Sequence, residues 1–153
     1  MAKRYSKIIM KRRTGIAFEE DLVISMVDHF KSTGDPGAIK YLGGTRIDRE
    51  EGTDLTIWGV PIDITINLEG KDHAEILPES TELLGGIRVR FGVRTGNRNH
   101  KFKTPVLVIG LDAMSGFVRA WENNIIQAFT DKLDEIIELG QSQYWDWCDA
   151  NEV

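Results

Sequence analysis

Hydrophobic residues near the start of the chain follow a helical spacing. Between residues 14 and 32 they recur every three or four positions, and the sequence Gly-Asp-Pro-Gly at 34–37 then interrupts the pattern. This spacing predicts an amphipathic helix over residues 14–32 that ends before the turn. On a helical wheel Glu19 falls on the apolar side, whereas Asp21 points away from it. A carboxylate that faces the core needs a partner, so Glu19 is a candidate functional residue.

Short segments with the composition of β-strands follow this helix. Residues 55–58 and 60–68 are rich in Ile, Thr, Val and Trp and are joined at Gly59, which predicts a hairpin. In the second arm apolar and polar residues alternate, so one face is predicted to be core and the other polar. Further along, Ile87, Val89, Phe91 and Val93 alternate with Arg88, Arg90, Gly92 and Arg94, which predicts a half-buried strand with one basic face. The apolar run PVLVIGL at 105–111 is typical of a strand covered on both sides.

Two connecting segments lack a strand pattern. Residues 72–84 predict a short helix or a loop, with Pro78 at a suitable first helical position. Residues 95–104 are polar and basic and predict a loop.

The last third of the chain predicts one long helix. It runs from capping groups near Asp112 to about Leu139 and ends at Gly140, and the first half of the tail 141–153 is expected to pack down. The element order predicts one α/β domain over residues 1–153. Its central mixed sheet of four to five strands is flanked by the N-terminal helix and the long C-terminal helix.

Composition narrows the class of protein. The 153 residues are 41% hydrophobic and 28% charged, which is ordinary for a globular domain and wrong for a disordered chain. No apolar run approaches the ~20 residues that cross a bilayer, and no secretory signal is recognised at the N-terminus. The single cysteine, Cys148, excludes an intramolecular disulfide and a cysteine-rich zinc site. We therefore expect a cytoplasmic protein.

The net charge of −5 conceals segregated charges. The basic arm 1–13 holds six bases and no acid, while the acidic segment 131–153 holds seven acids and one lysine. A second acid-free stretch, 86–103, holds six more bases: Arg88, Arg90, Arg94, Arg98, Lys101 and Lys103. These bases predict a local positive surface for DNA or RNA, although solvated faces that only maintain solubility are an alternative.

The hairpin offers the clearest candidate site. A tight turn at Trp58-Gly59 would place Asp54 opposite Asp63, and two facing carboxylates repel each other. A divalent cation between them would relieve the repulsion, and so would a basic side chain such as that of Arg88 or Arg90. The register is conditional, because tryptophan is unfavourable at a positive-φ turn position and a bulge would shift the pairing by one residue. Two exposed aspartates separated by twist and solvent are a further alternative.

The hairpin sequence GTDLTIWGVPIDIT, at residues 52–65, resembles the core hairpin of the PD-(D/E)XK, or restriction-endonuclease-like, phosphodiesterases. The resemblance implies a helix–three strands–helix–strand core and a Mg²⁺ or Mn²⁺ site. It assigns the metal to Asp54 and Asp63, with Glu19 as the acid from the preceding helix. The position of the family's lysine is occupied by Thr65, which cannot supply a positive charge. Lys71 beyond the strand, or an arginine of the next strand, would have to supply it instead.

The sequence therefore supports three hypotheses. The first is a metal-dependent nuclease-like domain that acts on DNA or RNA through the basic stretch and the basic arm. The second is a non-catalytic relative, encoded by a phage or mobile element, that binds nucleic acid, a nucleotide or a protein. The third is a homodimeric protein–protein module formed by the long helix and the acidic, tryptophan-containing tail.

Overall fold

A computed structural model of the protein describes residues 19–32, 39–41, 55–66, 68, 74–83, 87–97, 100–113 and 122–152. Residues 19–32 are helical and form α1, as the apolar spacing predicts. The other elements, in chain order, are β1 (Ile39–Tyr41), β2 (Leu55–Ile57), β3 (Val60–Thr65), β4 (Ala74–Glu82), β5 (Ile87–Asn97), β6 (His100–Ala113), α2 (Glu122–Asp131) and α3 (Leu133–Ala150).

The six strands form one mixed sheet in the order β1-β2-β3-β6-β5-β4. Strands β3 and β6 are parallel, and every other neighbouring pair is antiparallel. The prediction of an α/β fold with a mixed sheet is confirmed, with six strands rather than four to five. The described part of the connection between β3 and β6 consists of two strands of the same sheet, where the family resemblance implied a helix.

Strand β4 contradicts the prediction of a helix or loop over residues 72–84. Its register against β5 shifts between Ile76 and Ser80, and Pro78 lies within the shift. Proline has no N–H to donate, so it is tolerated at a sheet edge or a bulge. Here Pro78 occupies both, since β4 is the last strand of the sheet.

The hairpin β2–β3 has the predicted register, with Leu55 opposite Ile62 and Ile57 opposite Val60. Trp58 and Gly59 have φ values of 51° and 80°. Two successive residues at positive φ form the type I′ turn, whose twist matches that of a two-residue hairpin. The turn therefore contains no bulge, and tryptophan accepts the unfavourable backbone conformation.

The prediction of a single C-terminal helix that ends at Gly140 is wrong in the boundaries of the helix. Strand β6 extends to Ala113, so Asp112 lies in a strand, and the helical region is divided at Lys132 into α2 and α3. Gly140 lies in the middle of α3, which continues through the supposed tail. A Cβ at Gly140 would lie 2.8 Å from Cε1 of Phe91. Glycine here permits close packing of a helix on the sheet and does not end the helix.

The two faces of the sheet differ in composition. One face carries Phe91, Leu107 and Ile109 and belongs to the main hydrophobic core, to which α1 and α3 contribute Met26 and Ile136. The opposite face of the central strands carries the alternate residues of β3, β5 and β6. The polar residues of β3 on that face are buried, because β3 is an internal strand. None of the helices that the structure describes is both long enough and apolar enough to span a membrane.

Candidate nucleic-acid interface and buried ion pair

Asp63 of β3 and Arg94 of β5 meet across the intervening strand β6. Asp63 pairs with Val108, and Arg94 pairs with Val106, two positions earlier on the same face. This diagonal places Nη2 of Arg94 3.7 Å from Oδ2 of Asp63. Their side chains are only 9% and 7% exposed, so the pair is buried.

Because both side chains are buried, their pairing matters for the stability of the fold. Removing a charge from water costs several kcal/mol unless an opposite charge or hydrogen bonds compensate for it. The sequence named Arg88 and Arg90 as basic side chains that could neutralise Asp63, and it assigned Arg94 to nucleic acid. The structure instead brings Arg94 to Asp63, and a buried guanidinium is poorly placed to contact phosphate. Arg88 is exposed and Arg90 is half-buried.

A leucine covers the same face beside the ion pair. Thr65 is 5% exposed and faces Gly110 of β6. A Cβ at Gly110 would lie 2.7 Å from Cβ of Leu68, and one at Gly92 would lie 3.1 Å from Cδ1 of that leucine. Leu68 therefore rests on a surface of two glycines next to Asp63, and this apolar contact occupies space close to the predicted metal position.

Glu19 has the partner that its inward position required. Its Oε1 accepts a hydrogen bond of 3.1 Å from the backbone N–H of Ile66, directly after Thr65. The first described residue of α1 is thus tied to the end of β3. This places Glu19 at the end of the strand that carries Asp63.

Three of the predicted site residues, Asp54, Lys71 and Arg98, lie outside the described residues, as does the basic arm 1–13. Within the part of the chain that the structure describes, no three His, Cys, Asp or Glu residues are grouped closely enough to hold a metal ion. The predicted Mg²⁺ or Mn²⁺ site therefore remains a prediction.

The segment predicted to be a basic loop is instead an extension of two strands. Strand β4 pairs with β5 only as far as Arg94, and β3 pairs with β6 only from Leu107 onward. Beyond these points residues 95–97 and 100–104, the basic ribbon, have no partner in another described strand, and the two strands of the ribbon pair with each other through Gly96 opposite Lys101 and Asn97 opposite His100. The register shifts from Arg94 opposite Val106 to Gly96 opposite Lys101, so a bulge separates the ribbon from the sheet.

The ribbon carries positive charge in a stretch without acids. Lys101 and Lys103 lie on its second strand, and no Asp or Glu occurs anywhere between residues 83 and 111. The sequence identified these bases correctly but not the regular strands that carry them. Alternation is obscured there by Gly96, by Pro105 and by the bulge.

Two contacts attach α3 to the end of the sheet from which the ribbon extends. The hydroxyl of Tyr144 donates a hydrogen bond of 2.8 Å to the carbonyl of Pro105, and Nε2 of Gln141 donates one of 2.9 Å to the carbonyl of Ile57. Burial raises the pKa of Tyr144 well above its ordinary value, which keeps this hydroxyl protonated as a donor.

Two tryptophans at this end are exposed. Trp58 of the hairpin turn is 60% exposed, and Trp145, one helical turn after Gln141, is 52% exposed. Sequence reasoning treated Trp58 only as an unfavourable turn residue and Trp145 only as part of the tail. A Trp-Gly pair between two strand-like segments was the available signal for an aromatic residue at a hairpin tip.

Comparison of the chain with protein-family models, curated proteins and solved structures gave no match.

Proposed function

We propose that this protein is a nucleic-acid-binding domain related in arrangement to the PD-(D/E)XK nucleases, and that it binds its ligand without cleaving it. The observation that carries the binding function is the basic ribbon, which extends past the neighbouring strands at one end of the sheet. The two strands of the ribbon contain no acid of their own, so their lysines can approach phosphates without repulsion from a carboxylate on the same strand pair.

For phosphate binding, the charge close to the ribbon matters more than the net charge of the chain. Although the chain carries −5 overall, seven of the nine acids in its last 51 residues lie on α2 and α3. Phosphate contacts act over about one Debye length, roughly 8–10 Å at physiological salt. A ribbon without acids can therefore bind a polyanion even in an acidic protein.

The proposed lack of turnover rests on the surroundings of Asp63. A divalent ion at this carboxylate would have to compete with the guanidinium of Arg94, whose Nη2 is 3.7 Å from Oδ2. The position of the family's lysine is also occupied by Thr65, which cannot supply the positive charge that stabilises a developing oxyanion or lowers the pKa of a metal-bound water. The ion pair with Arg94 and the threonine at position 65 both favour a binding protein over a hydrolase.

A metal-dependent nuclease is the second candidate, and the position of Glu19 favours it. The hydrogen bond from Ile66 holds this acid at the end of β3. The hairpin register, continued by one residue, would pair Asp54 with Asp63. In this alternative Mg²⁺ or Mn²⁺ would be held by those three acids, and Lys71 would supply the missing charge.

Binding is tested by fluorescence anisotropy with labelled single-stranded DNA, duplex DNA and RNA between 50 and 200 mM salt. The variant Lys101→Ala/Lys103→Ala should weaken binding and reduce the slope of log K against log salt by about one to two, since each phosphate contact contributes ~0.7–0.9. The matched control Lys31→Ala/Lys40→Ala removes the same charge from exposed positions elsewhere and should leave the slope unchanged.

Two results would decide against the proposal. Absence of binding to all three ligands at 50 mM salt would refute the binding function. Cleavage that requires Mn²⁺ and is lost in Asp63→Ala would establish the nuclease alternative instead.

A further inference from the structure

We propose that Trp58 is a stacking platform for an unpaired base, and that the preferred ligand is therefore a single strand of nucleic acid. This inference rests on the proposed function, because it assigns the ligand class to the same surface. In it, the basic ribbon contacts the phosphates and the indole of Trp58 contacts a base.

Neither the fold nor the backbone accounts for a tryptophan at this position. The side chain is 60% exposed, so it contributes little to the core. Its φ of 51° lies in the left-handed region, where asparagine or glycine is favoured over a bulky residue. A residue that is unfavourable for the turn and mostly open to solvent is explained by a contact with a ligand.

The registers place Trp58 beside the basic ribbon. Because β3 and β6 are parallel and Ile62 pairs with Leu107, Val60 lies level with Pro105 when the register is continued by two residues. The turn before Val60 therefore lies level with the beginning of the ribbon. An aromatic ring next to a positively charged strand pair is the combination with which proteins bind single strands.

Trp145 lies on the same side of the molecule. Gln141 bonds to Ile57, the residue before Trp58, and Trp145 follows Gln141 by one helical turn. The rings of Trp145 and Tyr144 form a T-shaped contact, with centroids 5.1 Å apart and an interplanar angle of 75°. Trp145 is nevertheless 52% exposed and offers a second aromatic surface.

The surrounding charge and the chemistry of stacking select the ligand. In a duplex the base faces are stacked on one another and cannot reach an indole, whereas a single strand offers every face. Helix α3 carries five acids and no base over Leu133–Ala150. Pairing two copies through Trp145 would bring like charges together, which disfavours self-association as the role of the tryptophans.

The test compares labelled oligo-dT and a duplex of equal length by fluorescence anisotropy. Trp58→Asn should lower the affinity for the single strand roughly 5- to 150-fold, the range that one base stacked on an aromatic side chain supplies, and leave duplex affinity unchanged. Trp58→Phe, which keeps an aromatic face, should retain most of the single-strand affinity. Since asparagine tolerates a positive φ, the melting temperature of Trp58→Asn should equal or exceed that of the parent, so a loss of binding will not reflect unfolding.

The outcomes separate this inference from the proposed function. Unchanged single-strand affinity in Trp58→Asn, together with weakened binding in Lys101→Ala/Lys103→Ala, would overturn the stacking role and leave the binding function standing. We expect Lys101→Ala/Lys103→Ala to bind both the single strand and the duplex more weakly. We expect Trp58→Asn to bind only the single strand more weakly. A concentration-dependent dimer that Trp58→Asn dissociates would show that the tryptophans serve self-association and would overturn the inference.

Discussion

The buried pair of Asp63 and Arg94 makes a quantitative prediction about stability. At an effective dielectric constant of about 20, two unit charges 3.7 Å apart attract by roughly 4–5 kcal/mol. Arg94→Met keeps much of the side-chain volume but leaves the carboxylate of Asp63 buried without this cation. Removing one partner of a buried pair costs about 3–5 kcal/mol, so Arg94→Met should lose that amount of a total stability of about 5–15 kcal/mol.

A double-mutant cycle in guanidinium chloride, followed by tryptophan fluorescence, measures this coupling. Asp63→Val alone should be destabilising for the converse reason, because it leaves the guanidinium of Arg94 buried without this carboxylate. In Asp63→Val/Arg94→Met neither charge of the pair remains, so the double variant should be several kcal/mol more stable than the sum of the single effects predicts. Additive effects, or a loss below about 1 kcal/mol in Arg94→Met, would show that the two groups are solvated independently and would refute the reasoning.

Two further predictions concern the packing and titration of α3. Gly140→Ala should lower the free energy of unfolding by about 1 kcal/mol, because a new methyl group 2.8 Å from Phe91 costs more than the ~1 kcal/mol of helix propensity that it gains. The exposed control Ser142→Ala should be neutral or slightly stabilising by the same denaturation assay, and a stabilised Gly140→Ala would contradict the packing. Burial raises the pKa of Cys148 above 9.0 and that of Tyr144 above 10.0, so the unfolded chain releases these protons first and stability should fall as pH rises past 9. In Tyr144→Phe the free energy of unfolding should decline less steeply above pH 10. A free energy of unfolding of the parent protein that stays constant from pH 7 to 11 would contradict the burial of both groups.

Sequence patterns identified the parts of this protein whose structure depends on local chemistry. The spacing of apolar residues predicted α1, and alternation around a two-residue connection predicted the register of β2 and β3. The apolar run at 105–111 predicted an internal strand, and that part of β6 is buried. These predictions succeeded because side-chain periodicity and turn length are properties of a few consecutive residues.

The candidate site was predicted less well, because its residues are brought together across the sheet. Glu19 was identified on the inward face of its helix, but its bond to the backbone of Ile66 joins segments distant in the chain. Asp63 was identified as a residue that needs a cation, and the sequence pointed to Arg88 and Arg90 rather than to Arg94 as a neutralising arginine. Selecting Arg94 requires knowing that β6 lies between β3 and β5 and which residue of β6 each strand opposes.

The sequence by itself determined the charged groups of this protein, the alternation of its strands and the tight turn at Trp58-Gly59. Only the tertiary structure decided that 74–82 is an edge strand, that Gly140 is a packing contact and that residues 95–97 and 100–104 form a ribbon. The physical reason is that proline, glycine and a bulge carry weak or contradictory local preferences, and sheet neighbours then decide their conformation. The pairing of Arg94 with Asp63 and the position of Trp58 beside the basic ribbon follow from that same strand order.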